Sequence, residues 1–117
     1  MIGLIAEMFW SLEAQPDAYV WAVVLLAHAA VGAVLVALAS LLTRRPVLAV
    51  SLAYGLIWEG GQLALAGAGL ADSVLDWAAV TLGAWAGVAA WRGKGNRLAA
   101  LLAAAAAVIW VGVRRRK

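Results

Sequence analysis

From Ala18 to Thr43 no residue carries a formal charge, and the run stops at Arg44-Arg45-Pro46. At about 1.5 Å of rise per residue, a helix over that run crosses a hydrocarbon core of about 30 Å. The pattern repeats along the chain. A second run extends from Val47 to about Gly69 and is interrupted only by Glu59. A third, from about Val74 to Trp91, carries Asp76 near its start. A fourth, Leu98 to Val113, lies between Arg97 and the terminal Arg114-Arg115-Arg116-Lys117. The 117 residues are 67% hydrophobic and 13% charged, whereas a soluble domain is about half apolar and about a quarter charged. A soluble fold of this size would leave much apolar surface in water, and lipid is the simpler solvent. The expected architecture is therefore an all-α integral membrane protein with a single domain over 1–117. It is a bundle of four transmembrane helices, about 18–43, 47–69, 74–91 and 98–113, or three if the last does not fully cross. Sixteen or so residues is short for a span, though flanking arginines can snorkel to extend it.

The first residues differ. Met1 to Trp10 with Leu12 is apolar but too short to cross, and Glu7, Glu13 and Asp17 interrupt it. A short interfacial helix over about 2–13 is expected. A secretory signal needs a basic n-region, and this N-terminus is acidic, although Ala37-Leu38-Ala39 has cleavage-site spacing. The chain has no cysteine, which excludes disulfides and thiolate metal sites. Its net charge of +3 comes from basic residues clustered beside apolar runs, where they read as membrane anchors rather than as a nucleic-acid surface. The expected partners are the lipid bilayer and either further copies of the chain or other membrane subunits, with no nucleic acid.

If every run crosses, the Arg44-Arg45 link and the link holding Arg92, Lys94 and Arg97 share one side, and the positive-inside rule makes it cytoplasmic. The same parity places Arg114 to Lys117 outside, against the rule. A last segment that stops short would instead leave three spans. Of the seven tryptophans, Trp10, Trp21, Trp77, Trp91 and Trp110 lie near expected span ends and fit an interfacial belt. Trp58 and Trp85 are deeper and are expected to pack between helices.

Ionisable groups inside spans are costly and point to function. His28 lies near the middle of the first span with Gly32 four residues on, so the imidazole shares a face with a gap where another helix can approach. The alternative for His28 is a single interhelical hydrogen bond. Glu59 lies in Gly55-Leu56-Ile57-Trp58-Glu59-Gly60-Gly61-Gln62, where helical spacing puts Gly55, Glu59 and Gln62 on one face. Gly60-Gly61 would loosen or kink that helix. Asp76, Val80, Gly83 and Gly87 form a stripe, and Gly83 to Gly87 is a small-xxx-small packing motif. Near a helix start Asp76 could instead serve as a cap, and Asp72 reads as a solvated turn residue. His28, Glu59, Gln62 and Asp76 are thus a candidate intramembrane polar cluster, with Gly32, Gly83 and Gly87 as packing positions. A His–Glu–Asp metal site would need all three to converge, which the spacing does not require. No catalytic residue, metal ligand or cofactor is assigned, and no nucleophile-plus-base set or phosphate loop is present.

Glu59-x-x-Gln62, followed by Asp76 and then Thr81-Leu82-Gly83-Ala84-x-x-Gly87, resembles the VanZ-like membrane proteins. These are small four-helix proteins that pair a Glu-x-x-Gln with a later Asp-x-x-x-Asn-Thr-Leu-Gly-Ala-x-x-Gly. His28 with Gly32 resembles the histidine that many members carry in an earlier helix, so the likeness covers about 27–87. Val80 stands where the family has asparagine, and the arginine before the family's aspartate is missing from Gly67-Ala68-Gly69-Leu70-Ala71. The resemblance implies a protein of the bacterial inner membrane, non-enzymatic or of unknown activity, in a family named for low-level glycopeptide resistance. Two alternatives belong to other classes. Small size, several spans and a basic tail also resemble a phage holin, which forms membrane lesions. Small-residue faces would equally suit an accessory subunit of a larger membrane complex.

Overall fold

The computed structural model describes residues 1–3, 5–6 and 17–116. The expected interfacial helix over about 2–13 lies for the most part outside them, as does Trp10. Among the described residues the chain is all-helical, with four helices long and apolar enough to cross a membrane: α1 (Ala18–Ala39), α2 (Pro46–Ala66), α3 (Leu70–Trp91) and α4 (Gly95–Arg116).

Local chemistry sets each boundary. The Asp17 carboxylate accepts the Val20 amide at 2.8 Å and caps α1. At the other end the Ser40 hydroxyl donates back to the Ala37 carbonyl, and Thr43 Oγ1 accepts the Arg45 amide. The last polar residues of the first uncharged run therefore form a turn, and α1 stops at Ala39 rather than at 43. Pro46 opens α2, where its missing N–H costs nothing. α2 is α-helical to Ala53 and then widens into π-helical turns over Tyr54–Glu59 and Gln62–Ala66, on either side of Gly60-Gly61. It ends at Gly67, whose φ of 73° is the left-handed conformation that glycine adopts freely.

α3 starts at Leu70, ahead of the expected Val74, because Gly69 supplies its cap and Asp72 complements the dipole from the first turn. Asp72 is thus helical, though exposed, and Asp76 lies too far into the helix to cap it. α4 runs for 22 residues, taking in Arg97 and Arg114 to Arg116. At about 33 Å it matches the other helices in reach.

The bundle is organised around α1 and α3, which run parallel and meet backbone to backbone. A Cβ at Gly32 would fall on the Val80 carbonyl of α3, and one at Gly83 on the Ala29 carbonyl of α1. Further along, Gly87 faces Val36 and Ala33. Val36, Val50, Val80, Ala84 and Val88 form the buried apolar core beyond this crossing. α2 is fastened to α3 by polar groups: Ser51 Oγ and Thr81 Oγ1 are 2.9 Å apart, and Trp77 Nε1 donates to the Ser51 carbonyl at 3.0 Å. α4 is the least buried of the four and lies against α1 and α3. Gly112 admits the Trp21 ring, and the Arg116 guanidinium covers the same ring 4.2 Å from its centroid.

Two tryptophans of the expected belt also make packing contacts within the bundle. Trp21 is buried under α4, and Trp77, two turns into α3, bonds to α2 rather than standing at a helix end. Trp85, expected between helices, is 56% exposed, because the α1 crossing uses the opposite, glycine-bearing side of α3. Trp58 stacks on Tyr54, while Trp91 and Trp110 are exposed near helix ends.

Candidate functional site

The close α1–α3 approach fixes what lies one turn before it. His28 precedes Gly32 on α1 by one turn, and Asp76 precedes Val80 on α3 by one turn, so the two side chains meet. His28 Nε2 lies 3.5 Å from Asp76 Oδ2. The other ring nitrogen, Nδ1, is 2.7 Å from the Val24 carbonyl oxygen. A carbonyl can only accept, so Nδ1 carries the proton and, in the neutral ring, Nε2 presents its lone pair to Asp76.

Glu59 completes the group from α2. One ligand atom each from His28, Glu59 and Asp76 lies within 4.8 Å of the others. Glu59 is only 3% exposed, and neither of its carboxyl oxygens accepts a hydrogen bond among the described residues. The Tyr54 phenol lies near both Glu59 and Asp76, without full hydrogen-bond geometry to Glu59. Its ring meets the His28 ring edge-on at 6.4 Å. Three helices therefore bring three acceptor-rich side chains to one point, and no Lys or Arg lies between Arg45 and Arg92 to compensate them.

Beside the cluster, a cavity of about 280 Å³ lies between α2 and α3. Ser51, Gly55, Glu59, Ser73 and Trp77 line it together with leucine side chains. The buried Ser73 hydroxyl has no partner among the described residues. Gly55 keeps the cavity wall thin, since a Cβ there would meet the Trp77 indole at 2.9 Å.

Of the four residues proposed for the polar cluster, His28, Glu59 and Asp76 converge. Gln62 is also buried, three residues after Glu59 on α2. The packing glycines Gly32 and Gly83 sit in the α1–α3 crossing, with Gly87 at its edge. Val80, where the resemblance expected asparagine, is fully buried against Gly32 and adds no polar group. Sequence reasoning missed Tyr54 and Ser73. Tyr54 is five residues before Glu59, a spacing that points two ways on an α-helix and one way on a π-helix. Ser73 carried no signal beyond being a hydroxyl near a span end.

No protein-family model, curated protein or solved structure matches this chain.

Proposed function

We propose that the chain is a small VanZ-like integral membrane protein of the bacterial inner membrane that acts through an intramembrane polar site rather than as an enzyme. The observation that carries this reading is the meeting of His28, Glu59 and Asp76 from three different helices. Such groups are expensive in hydrocarbon and are kept there for binding or ion and proton handling.

The test has two stages. Membranes from bacteria expressing the chain should retain it through high salt and alkaline carbonate, with detergent alone releasing it. Recovery in the carbonate supernatant would end the membrane reading. Cells carrying the wild-type chain should then tolerate more of a glycopeptide antibiotic than cells carrying Glu59→Gln at equal abundance. Equal tolerance of the two strains and the empty-vector control would remove the VanZ-like activity.

Orientation follows from the basic links. With no native cysteine, single cysteines at Thr43, Asn96 and Arg116 report sidedness to an impermeant maleimide. In intact cells Thr43→Cys and Asn96→Cys should stay unlabelled while Arg116→Cys reacts. Labelling of Thr43→Cys from outside reverses the orientation, and protection of Arg116→Cys leaves α4 uncrossed.

A further inference from the structure

We infer that His28, Glu59 and Asp76 form a binding site for one divalent transition cation of the zinc class, held between α1, α2 and α3. The inference deepens the proposed function and rests on its reading of these helices as membrane spans. It goes beyond the sequence, which required no convergence of the three.

The first argument is charge. With both carboxylates ionised, the triad carries two negative charges, and an imidazolium at His28 would offset only one. Uncompensated charge is most costly where water is scarce. A divalent cation with a neutral imidazole brings the group to zero. No Lys or Arg lies between Arg45 and Arg92, so without an ion the group reaches neutrality only if one of its carboxyls takes up a proton.

The second is the arrangement of lone pairs. Nδ1 of His28 is occupied by the Val24 carbonyl at 2.7 Å, the outer contact that commonly orients a metal-bound histidine and fixes its tautomer. That leaves Nε2 as a donor of electrons toward Asp76 Oδ2, 3.5 Å away. Two ligands each about 2.1 Å from a tetrahedral ion stand about 3.4 Å apart. Glu59 adds two buried oxygens without a hydrogen-bond donor, inside the 4.8 Å limit that joins all three residues.

The third is the donor set. One imidazole nitrogen with two carboxylates suits zinc, manganese or ferrous iron better than magnesium or calcium, which favour all-oxygen shells. Three protein ligands leave a fourth position. Glu59 lines both the triad and the cavity between α2 and α3, so that position has room for a small ligand beside the ion.

The test uses the full chain, purified in detergent through a non-histidine tag and stripped with chelator. Equilibrium dialysis against Zn²⁺ should show one saturable zinc per chain, with Mg²⁺ in excess failing to displace it. Co²⁺ in its place should give the visible absorption of a four- or five-coordinate ion. His28→Ala, Glu59→Gln and Asp76→Asn should each weaken zinc binding at least about tenfold, the lower end of what losing even an outer partner costs. Asp72→Asn, which removes an exposed carboxylate outside the triad, should bind as wild type does. Circular dichroism and elution volume confirm that each variant is folded. Absence of saturable zinc in the folded wild type, or undiminished binding in a folded triple variant, overturns the inference. Loss of the antibiotic phenotype in Glu59→Gln without zinc binding by the wild type would sink the metal site alone. Release by carbonate would sink the membrane reading beneath it.

Discussion

Gly83→Leu is expected to leave no folded bundle in mild detergent. The reason is the type of atom the new side chain would meet. A Cβ on Gly83 would overlap the Ala29 carbonyl, and Gly32 faces the Val80 carbonyl in the same way. Neither neighbour is a side chain that can rotate aside, so α1 and α3 must separate and the core of Val36, Val80 and Ala84 opens with them. Overpacking costs typically about 1–3 kcal/mol where side chains can adjust, and a backbone collision belongs at or above the top of that range. The measurement is the folded fraction during titration from a mild detergent into sodium dodecyl sulfate. Gly83→Ala should already lower the midpoint, whereas Gly60→Ala, whose nearest new contact is the Gly55 carbonyl at 3.4 Å, should leave it nearly unchanged. An unshifted midpoint for Gly83→Leu would contradict the backbone contact between the two helices.

The second large effect has the opposite sign. Glu59→Met should make the metal-free protein more stable while abolishing the zinc response. Glu59 is buried and its carboxyl oxygens lack hydrogen-bond donors among the described residues. An ionisable group in that position is a liability until something binds it. Replacing buried ionic groups by well-packed apolar ones often stabilises a fold by about 1–4 kcal/mol. The same detergent titration should move the Glu59→Met midpoint above wild type without zinc, and zinc should then raise wild type and leave the variant where it is. Destabilisation by Glu59→Met would show that the carboxylate is already partnered in the protein. The result would place binding and stability in opposition at one residue, as strained functional sites commonly do.

Much of the helical arrangement was legible in the sequence because charge punctuates it. Arginine pairs, Pro46 and the glycines between α2 and α3 mark turns that the structure places within a few residues. Boundaries slipped where a polar residue could serve either a helix or a turn. Ser40 and Thr43 belong to no charge cluster, yet their hydroxyls close the α1–α2 turn, while Asp72 reads as a turn residue and in fact supports the first turn of α3. The site was legible as a set of expensive residues and not as a geometry. His28, Glu59 and Asp76 stand out because each costs free energy in an apolar segment, but nothing in their numbering brings three helices to one point. That depends on the Gly32 and Gly83 contacts and on the widened turns of α2, and a π-turn has no simple sequence signature. Trp21 and Trp77 show a related gap: proximity to a span end identifies a ring that can sit in an interface, and it does not show that the ring packs against Gly112 or bonds to Ser51.

The parallel course of α1 and α3, with α4 returning beside the start of α1, gives the bundle an electrical polarity. At the end where α1 and α3 finish stand Arg44, Arg45, Arg92, Lys94 and Arg97, with no acidic residue among them. At the opposite end Asp17 and Asp72 accompany Arg114, Arg115 and Arg116, and the Trp21 and Trp110 rings hold Arg116 and Arg114 against the helix surface. The basic tail therefore adds little net charge to its own end. In a membrane held negative inside, each unit charge moved across the full potential is worth about 2.3 kcal/mol per 100 mV. A potential of that kind would act on the whole bundle as on a rod with one strongly positive tip, favouring that tip on the negative side.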